Sequence, residues 1–312
     1  MVFNNCRVLV TGGAGVIGQE LIQRLVAAGA HVICIDIKPR PQSFPEPVEY
    51  IQRDLSMTPP EDIASHDPEI LFHLAATFER TAETPEFGED NFKNNIQLSH
   101  VVINAAGMSK NLKKFIFASS YLVYSPDQYL SDKPLTKPVI LSETNQIHPR
   151  NLIGAAKYYT ENEIEYQNRI TDHFSIITAR IFRVYGKGSK DIVSRWIRAA
   201  LNGEELRVYN RENQFDYIYA GDVAEGLFKM AASVQANAVF NLGYGSTRRV
   251  EEVVAILKDQ FPDISVRDDG SKAPYENSCA SIEQLRALIG WRPGTSLEQG
   301  IQNIIDYETS RR

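Results

Sequence analysis

No run in this 312-residue chain approaches the roughly 18 consecutive apolar residues of a membrane-spanning helix, so a helical membrane protein is not expected. Cysteine is scarce. Cys6, Cys34 and Cys279 are odd in number and far apart, which gives neither a disulfide framework nor metal-ligand spacing. Two of them sit inside apolar runs, so buried free thiols in a reducing compartment are expected, with no metal. A basic excess is missing as well: the net charge is −6 and no basic stripe is visible, which argues against a nucleic-acid partner. There are no internal repeats and no low-complexity tracts. The opening residues, Met1 to Arg7, lack signal-peptide organisation, and a cytoplasmic location is the expectation.

What is present is an ordinary globular composition, 43% hydrophobic and 23% charged, on a chain long enough to bury a sizeable core. Short apolar runs alternate with helix-length amphipathic segments, the pattern of βαβ units and a parallel sheet. Strands are predicted at 7–11, 31–36, 50–53, 70–73, 114–118 and 175–180, and helices at 18–28, 91–107 and 152–169. Four prolines in 39–47 mark a loop. After about residue 183 the order changes. Helices are predicted at 192–201, 223–232, 281–289 and 297–307, around short strands at 206–209 and 239–242.

Thr11-Gly-Gly-Ala-Gly-Val-Ile-Gly18 joins the first strand to the first helix. Gly12, Gly15 and Gly18 are spaced three apart, as needed for a tight turn, close approach of a pyrophosphate and close helix packing. The helix N-terminus then offers free N–H groups and a positive dipole end to the phosphates. Asp36 ends the second strand, where a carboxylate accepts from both ribose hydroxyls and repels a 2′-phosphate. Lys38 and Arg40 lie near enough to receive such a phosphate, but as solvated loop charges they leave NAD as the expected cofactor. The expected fold is therefore α/β: a Rossmann doubly wound parallel sheet over 1–182, with parts of 215–245 returning to it. A smaller, interleaved substrate-binding lobe takes up most of 183–312.

Further segments give the sequence a specific likeness. Arg53-Asp54-Leu55 follows the third strand, His73-Leu-Ala-Ala76 ends the fourth, and Asn94-Asn95-Ile96 opens a helix. Phe117-Ala-Ser-Ser-Tyr-Leu-Val-Tyr124, Phe215-Asp-Tyr-Ile-Tyr-Ala-Gly-Asp-Val223, Phe240-Asn-Leu-Gly243 and Gly290-Trp-Arg-Pro293 come later. With these the chain resembles the extended short-chain dehydrogenase/reductases, the family of UDP-galactose 4-epimerase and nucleotide-sugar dehydratases, over essentially its whole length. The resemblance implies that Asp54 and Leu55 lie against the adenine and that Leu74, Ala75 and Ala76 lie beside the cofactor's sugars. It also assigns Val16, Ile17, Asn95 and Val184 to the cofactor site, places Ser120 in the catalytic serine slot, and makes Thr77 and Glu79 candidate substrate residues. Family members commonly dimerise through two helices, for which 91–107 and 152–169 are the counterparts; both could equally serve as intrachain core.

The chain departs from the family on the catalytic helix. Members carry Tyr-x-x-x-Lys there, one helical turn apart, so that the lysine holds the nicotinamide ribose and lowers the pKa of the proton-exchanging phenol. In Asn151-Leu-Ile-Gly-Ala-Ala-Lys157 the lysine slot holds Lys157 and the tyrosine slot holds Ile153. The one literal Tyr-x-x-x-Lys, Tyr129 to Lys133, falls in a loop between Pro126 and Pro134. Tyr158 and Tyr159 point to other helix faces. Where dehydratases place an Asp-Glu pair after the catalytic threonine, this chain has Tyr121 and Leu122. Tyr121 is a candidate surrogate acid/base, but strand alternation turns it away from Ser120.

The substrate side departs too. Arg183 stands where epimerases often have an asparagine, and Phe215 stands where they have a diphosphate-binding arginine. Arg211 is near, and Lys272 is in a segment that usually holds a second arginine. Arg183 is either an anion-binding group or half of a structural ion pair, and Glu79 and Arg80 are either substrate contacts or a solvated pair. Two functions remain open: an atypical NAD-dependent epimerase or oxidoreductase moving a hydride at a sugar carbon, and a catalytically silent NAD-binding sensor or scaffold. A dehydratase or decarboxylase is less favoured. The expected partners are a nucleotide sugar or related anionic sugar and a second copy of the chain.

Overall fold

The computed structural model describes residues 3–77, 83–234, 237–271 and 273–312. The chain opens with β1 (Arg7–Thr11), α1 (Val16–Ala27), β2 (His31–Asp36) and β3 (Glu49–Gln52). Next come α2 (Pro60–Ala64), β4 (Ile70–His73), α3 (Pro85–Asn91), α4 (Leu98–Met108) and β5 (Lys114–Ser120). Two small strands, β6 (Leu130–Ser131) and β7 (Val139–Leu141), precede α5 (Leu152–Thr171), β8 (Ser175–Ile181) and β9 (Arg183–Tyr185). Then follow α6 (Ile192–Leu201), β10 (Leu206–Val208), β11 (Gln214–Phe215), β12 (Tyr217–Tyr219), α7 (Ala220–Ala232) and β13 (Ala238–Leu242). The chain finishes with β14 (Arg248–Arg249), α8 (Val250–Gln260), β15 (Val266–Asp268), β16 (Tyr275–Ala280), α9 (Glu283–Ile289) and α10 (Leu297–Thr309).

The chain packs as two units. The first comprises 1–124, 146–180 and 224–240. Its seven-stranded sheet runs in the order β13-β8-β5-β4-β1-β2-β3, with β3 to β5 paired in parallel. The order reverses at β1 and β4, the switch point where an open α/β sheet leaves a crevice at its carboxyl edge. Val8, Leu9 and Val10 are all fully buried, the continuous apolar run of a strand covered on both faces. One face of the sheet packs Leu9, Ile33, Leu71, Phe115 and Phe117 against Leu98, Val102 and Ile103 of α4 and Ile164 of α5.

The second unit comprises 125–145, 181–223 and 241–312. Its core gathers Val193, Trp196 and Ile197 of α6 with Val253 and Leu257 of α8 and Ile301 and Ile304 of α10. Segment 125–145, expected in the first part, belongs here because β7 pairs in parallel with β16, Val139 opposite Ser278. The segment that returns to the first unit is 224–240, narrower than the 215–245 expected.

The helix predicted at 91–107 is not one regular element. It begins at Pro85, capped by Thr84, whose hydroxyl accepts from the Phe87 N–H at 3.2 Å. It then widens into a π-helical turn at Phe92–Gln97 before α4, a distortion often found at functional sites. β5 runs two residues further than the predicted 114–118, so Ser120 ends a strand. α8, β15 and β16 stand outside the sequence expectation. All three cysteines are free and buried. Among the described residues no helix is long and apolar enough to cross a membrane, and no group of His, Cys, Asp and Glu is arranged to hold a metal ion.

Candidate functional site

The glycine loop turns between β1 and α1 with Gly12 at φ +72°, a left-handed conformation that L side chains rarely adopt. A Cβ there would also lie 2.5 Å from the Ala75 amide nitrogen, so the loops after β1 and β4 touch through a missing side chain. At Gly18 a Cβ would reach 2.5 Å from the Gly13 Cα, the close helix packing that the spacing predicted. Helix α1 starts at Val16 rather than Gly18, so Val16 and Ile17 form its half-buried first turn, with Gly15 as N-cap. A Cβ on Gly15 would meet, among the described residues, only the Gly12 carbonyl, at 3.2 Å.

Asp36 does two things at once. Its Oδ2 accepts from the Ala14 amide at 2.8 Å and its Oδ1 from the Lys38 amide at 2.9 Å, so the carboxylate pins the glycine loop. Each oxygen keeps a further lone pair for a hydroxyl. Arg40, one of two cations that could attract a 2′-phosphate, gives its guanidinium to the Val48 and Pro45 carbonyls at 2.7 and 2.8 Å. Asp54 caps a short 3₁₀ turn and is already engaged: Oδ1 accepts from the Ser56 amide at 3.0 Å and Oδ2 from the Lys93 ammonium at 3.0 Å. Burial works against the ionised form, but these donors hold its pKa below the usual value. The Leu55 side chain is buried in the core.

Beneath the loop runs a buried hydrogen-bond chain. The Ser99 hydroxyl donates to the Asn95 carbonyl at 2.5 Å, so it can only accept from His73 Nε2, 3.0 Å away. Nδ1 of His73 is then the acceptor for the Thr11 hydroxyl at 2.8 Å. The imidazole is wholly enclosed, and burial, reinforced by the charge of Lys157, pushes its pKa down to about 3. His73 is thus a fixed neutral spacer at neutral pH. The Asn95 amide oxygen accepts from the Thr77 amide at 2.9 Å and its nitrogen donates to Asn91 at 2.7 Å. Asn91 in turn donates to the Leu152 carbonyl at 3.2 Å, on the first residue of α5. Asn95 therefore supports Thr77, which holds the strand end Leu74 to Ala76 in place. Glu79 and Arg80 lie outside the described residues, as does Lys272.

β5 and α5 meet beside this chain of hydrogen bonds. The Ser120 hydroxyl, half-buried at the end of β5, accepts from the Leu122 amide at 3.2 Å. The Asn151 side chain caps α5 by accepting from the Gly154 amide at 2.9 Å. A Cβ on Gly154 would collide with the Leu122 carbonyl, so only glycine lets α5 seat against the turn after β5. Ile153, 3% exposed, sits in the first helical turn of α5 and Lys157 one turn on. The Lys157 ammonium donates to the Ala118 carbonyl at 2.8 Å and lies 4.8 Å above the Phe117 ring. Burial pushes its pKa down to about 8, with Glu161 acting in the opposite direction.

Tyr121 differs from its predicted placement. It starts a 3₁₀ turn rather than continuing the strand, because Ser120 caps that turn, so strand alternation does not set its direction. It is 5% exposed, and Leu122 beside it is buried too. Sequence reasoning missed Glu161, a further turn along α5 from Lys157. It makes a two-point ion pair with Arg180 of β8, at 3.1 and 2.7 Å, with both side chains under a tenth exposed. The Ser119 hydroxyl donates to the same carboxylate, and Arg180 donates to the Tyr124 hydroxyl at 3.3 Å. The i, i+4 spacing from Lys157 was the available signal; the partner on β8 was not visible locally.

In the second unit Arg183 lies 3.6 Å above the Phe215 ring and 3.4 Å from the Glu276 carboxylate, an ion pair 14% and 4% exposed. Of the two readings of Arg183, the structure holds the ion pair. Arg211 donates to Asp268 at 2.7 Å in an exposed pair. Val184 is on β9, opposite Ile218 of β12. The Tyr129 of the literal Tyr-x-x-x-Lys is buried in this unit after a 3₁₀ turn, with no helix to align it with Lys133. A hollow of about 260 Å³ lined by Ile35, Ile51, Arg53 and Asp62 holds none of the candidate residues.

Comparison with known proteins agrees with this geometry. Residues 8–243 match a family model described as the NAD dependent epimerase/dehydratase family. A putative UDP-glucose 4-epimerase of Methanocaldococcus jannaschii is 27% identical over 96% of this chain and 97% of its own. Among solved structures, the UDP-glucose 4-epimerase of Thermotoga maritima with UDP-glucose is 26% identical, covering 98% of this chain and 99% of its own, at a TM-score of 0.84. MoeE5 in complex with UDP-glucuronic acid and NAD is 25% identical over 98% of this chain and all of its own, at a TM-score of 0.85.

Proposed function

The chain belongs to the NAD dependent epimerase/dehydratase family, and on that premise we propose that it is an NAD-dependent enzyme acting on a nucleotide sugar, with an active site that works without the family's tyrosine. The observation that carries this reading is the bond that joins Lys157 of α5 to β5 two residues before Ser120. The lysine is bonded to the carbonyl of Ala118 on the very strand that ends in the serine, while the cofactor loop is intact. A catalytically silent sensor needs the loop but has no use for that pairing.

The residues present fit NAD. Gly15 and the first turn of α1 leave room for a pyrophosphate, Asp36 accepts from ribose hydroxyls, and Arg40 is committed to its own loop. When bound, NAD⁺ supplies the acceptor for a hydride from the oxidised sugar carbon and can return it. On the protein side, Lys157 holds the nicotinamide ribose. Ser120 orients the reacting hydroxyl, Asn95 keeps Thr77 and the end of β4 in place, and Ile153 excludes water from the first turn of α5. The buried Tyr121 and Leu122 supply no acid/base pair of dehydratase type, which favours epimerisation or simple oxidation and reduction. Arg183 and Arg211, each paired to a carboxylate, serve the anionic sugar only by exchanging partners. A homodimer through α4 and α5 belongs to the same proposal, supported by Tyr159, Tyr166 and Ile170, which are exposed on α5.

The test is a panel of nucleotide sugars with NAD⁺, read by reduced-nicotinamide absorbance and by product stereochemistry. Turnover of at least one member is expected. Tight NAD binding with no turnover of any would replace the enzyme reading with the sensor. Ile153→Tyr, which restores a phenol one turn from Lys157, should raise kcat by about 10-fold or more, since a placed base contributes on the order of 10²–10⁴.

A further inference from the structure

With Ile153 in the tyrosine slot, some other group must take the proton from the reacting hydroxyl. Most of the titratable groups in this part of the first unit are already committed. His73 is enclosed and bonded at both nitrogens, and burial with the Lys157 charge keeps it neutral and non-basic, at about 3. Tyr121 is 5% exposed in its turn, and Tyr124 is fully buried and bonded by Arg180. Glu161 is held at both oxygens by Arg180 and by Ser119. The Ser119 hydroxyl is spent on Glu161, and the Ser120 hydroxyl caps the turn that follows β5. What remains on this face of α5 is the amine of Lys157, half-buried on the β5 side and within reach of the strand that ends in Ser120.

We propose that Lys157 is the catalytic proton acceptor of this chain, and that Glu161, one turn further along α5, is the positioning residue that sets its charge. This rests on the enzyme reading above. In the oxidative step the sugar O–H bond breaks and its proton joins the lone pair of the neutral Nζ to form a third N–H bond. The O–H electron pair becomes the second bond of the carbonyl, and the C–H hydrogen leaves with its pair to NAD⁺. Reduction runs the same step backwards, with the ammonium returning the proton.

The surroundings are built for an amine that changes charge. Burial favours the neutral form and brings the group down to about 8. The facing Glu161 carboxylate and the Phe117 ring favour the cation, so Lys157 stays close to balance near neutral pH. Arg180 on β8 neutralises most of Glu161, and without that pairing the carboxylate would hold the ammonium protonated. The two charged neighbours thus set the balance between them, while His73, which also feels the Lys157 charge, stays neutral.

Two measurements on the full chain test the proposal. The first is independent of turnover: the pH dependence of Lys157 acylation without cofactor, followed by peptide mass spectrometry. A midpoint near 8 is expected, against about 10.4 for an ordinary lysine. Glu161→Gln should move that midpoint, and the acid limb of kcat/KM, to lower pH together. The second is Lys157→Arg, which keeps a cation and its donors but cannot accept a proton at accessible pH. It should lose about 10²–10⁴-fold in kcat while still binding NAD. If Glu161→Gln does not fold, with Arg180 left buried and unpaired, the arginine variant and the unsubstituted midpoint decide the matter.

Turnover by Lys157→Arg within about fivefold of the unsubstituted chain, or a midpoint at the ordinary lysine value, overturns the proposal. A midpoint and acid limb both unmoved in folded Glu161→Gln overturn the role of Glu161. Absence of turnover with every nucleotide sugar overturns the enzyme reading and this proposal together, whereas normal turnover with an ordinary midpoint overturns this proposal alone.

Discussion

At the scale of single residues, His73 shows how burial turns a titratable side chain into a fixed part. Its folded-state pKa of about 3 lies well below the 6.5 of a free imidazole. Above pH 6.5 both folded and unfolded chains carry it neutral and it costs nothing. As the pH falls from 6.5 towards 3, the unfolded chain binds a proton that the folded chain refuses, so stability declines on the acid side. His73→Gln can copy the hydrogen bonds to Thr11 and Ser99 without titrating. It should flatten the loss of unfolding free energy below pH 6.5 by up to about 1.4 kcal/mol per pH unit, as read by urea denaturation at a series of pH values. An unchanged slope would mean that His73 titrates in the folded state.

At the scale of elements, α5 carries three successive turns with three different roles. Ile153 is buried in the first turn, Lys157 bonds β5 from the second, and Glu161 anchors the third to β8. Breaking a buried ion pair strands its partner, so Glu161→Ala should cost about 3–5 kcal/mol in chemical denaturation. Replacing both members with apolar side chains, Glu161→Met with Arg180→Leu, should cost markedly less, because no uncompensated charge remains. Equal losses in the single and the double variant would show that packing at this place, rather than charge pairing, holds α5 to the sheet. The π-helical turn at Phe92–Gln97 is the other element-scale device: it aims Asn95 inward at Thr77 and Asn91 while leaving Phe92 exposed.

At the scale of the whole molecule, the exposed apolar side chains on α5 are the feature that a single copy leaves unused. Tyr159, Tyr166 and Ile170 are 49%, 64% and 62% exposed, and their spacing places them along the helix rather than in its core. Scattered singly such residues need no explanation, but together on one long helix they suit an interface between copies. Light scattering should give two chains per particle, and Tyr166→Lys with Ile170→Glu should give one, with NAD binding retained. A single-chain particle for the unsubstituted protein would remove the dimer from the proposal.

The sequence by itself determined the glycine loop, the acid that ends β2, the alternation that makes a parallel sheet, and the helix that carries Ile153 and Lys157 one turn apart. These are legible because each depends on a short stretch: spacing within a turn, period within a strand, one turn within a helix. Gly154 is legible as a glycine, but the reason for it is tertiary, a seat against the Leu122 carbonyl that leaves no room for a Cβ. Tertiary structure alone decided what meets across the chain. It paired Glu161 with Arg180, 19 positions away, and linked His73 to Ser99, 26 positions away. It placed segment 125–145 in the second unit through a strand pairing 139 positions apart, Val139 with Ser278. It also turned Tyr121 out of the strand, because the Ser120 hydroxyl caps a new turn instead of continuing the ladder. Local preference fixes which elements form, but burial and charge pairing act between elements, and so the protonation states that decide the chemistry appear only after the chain has packed.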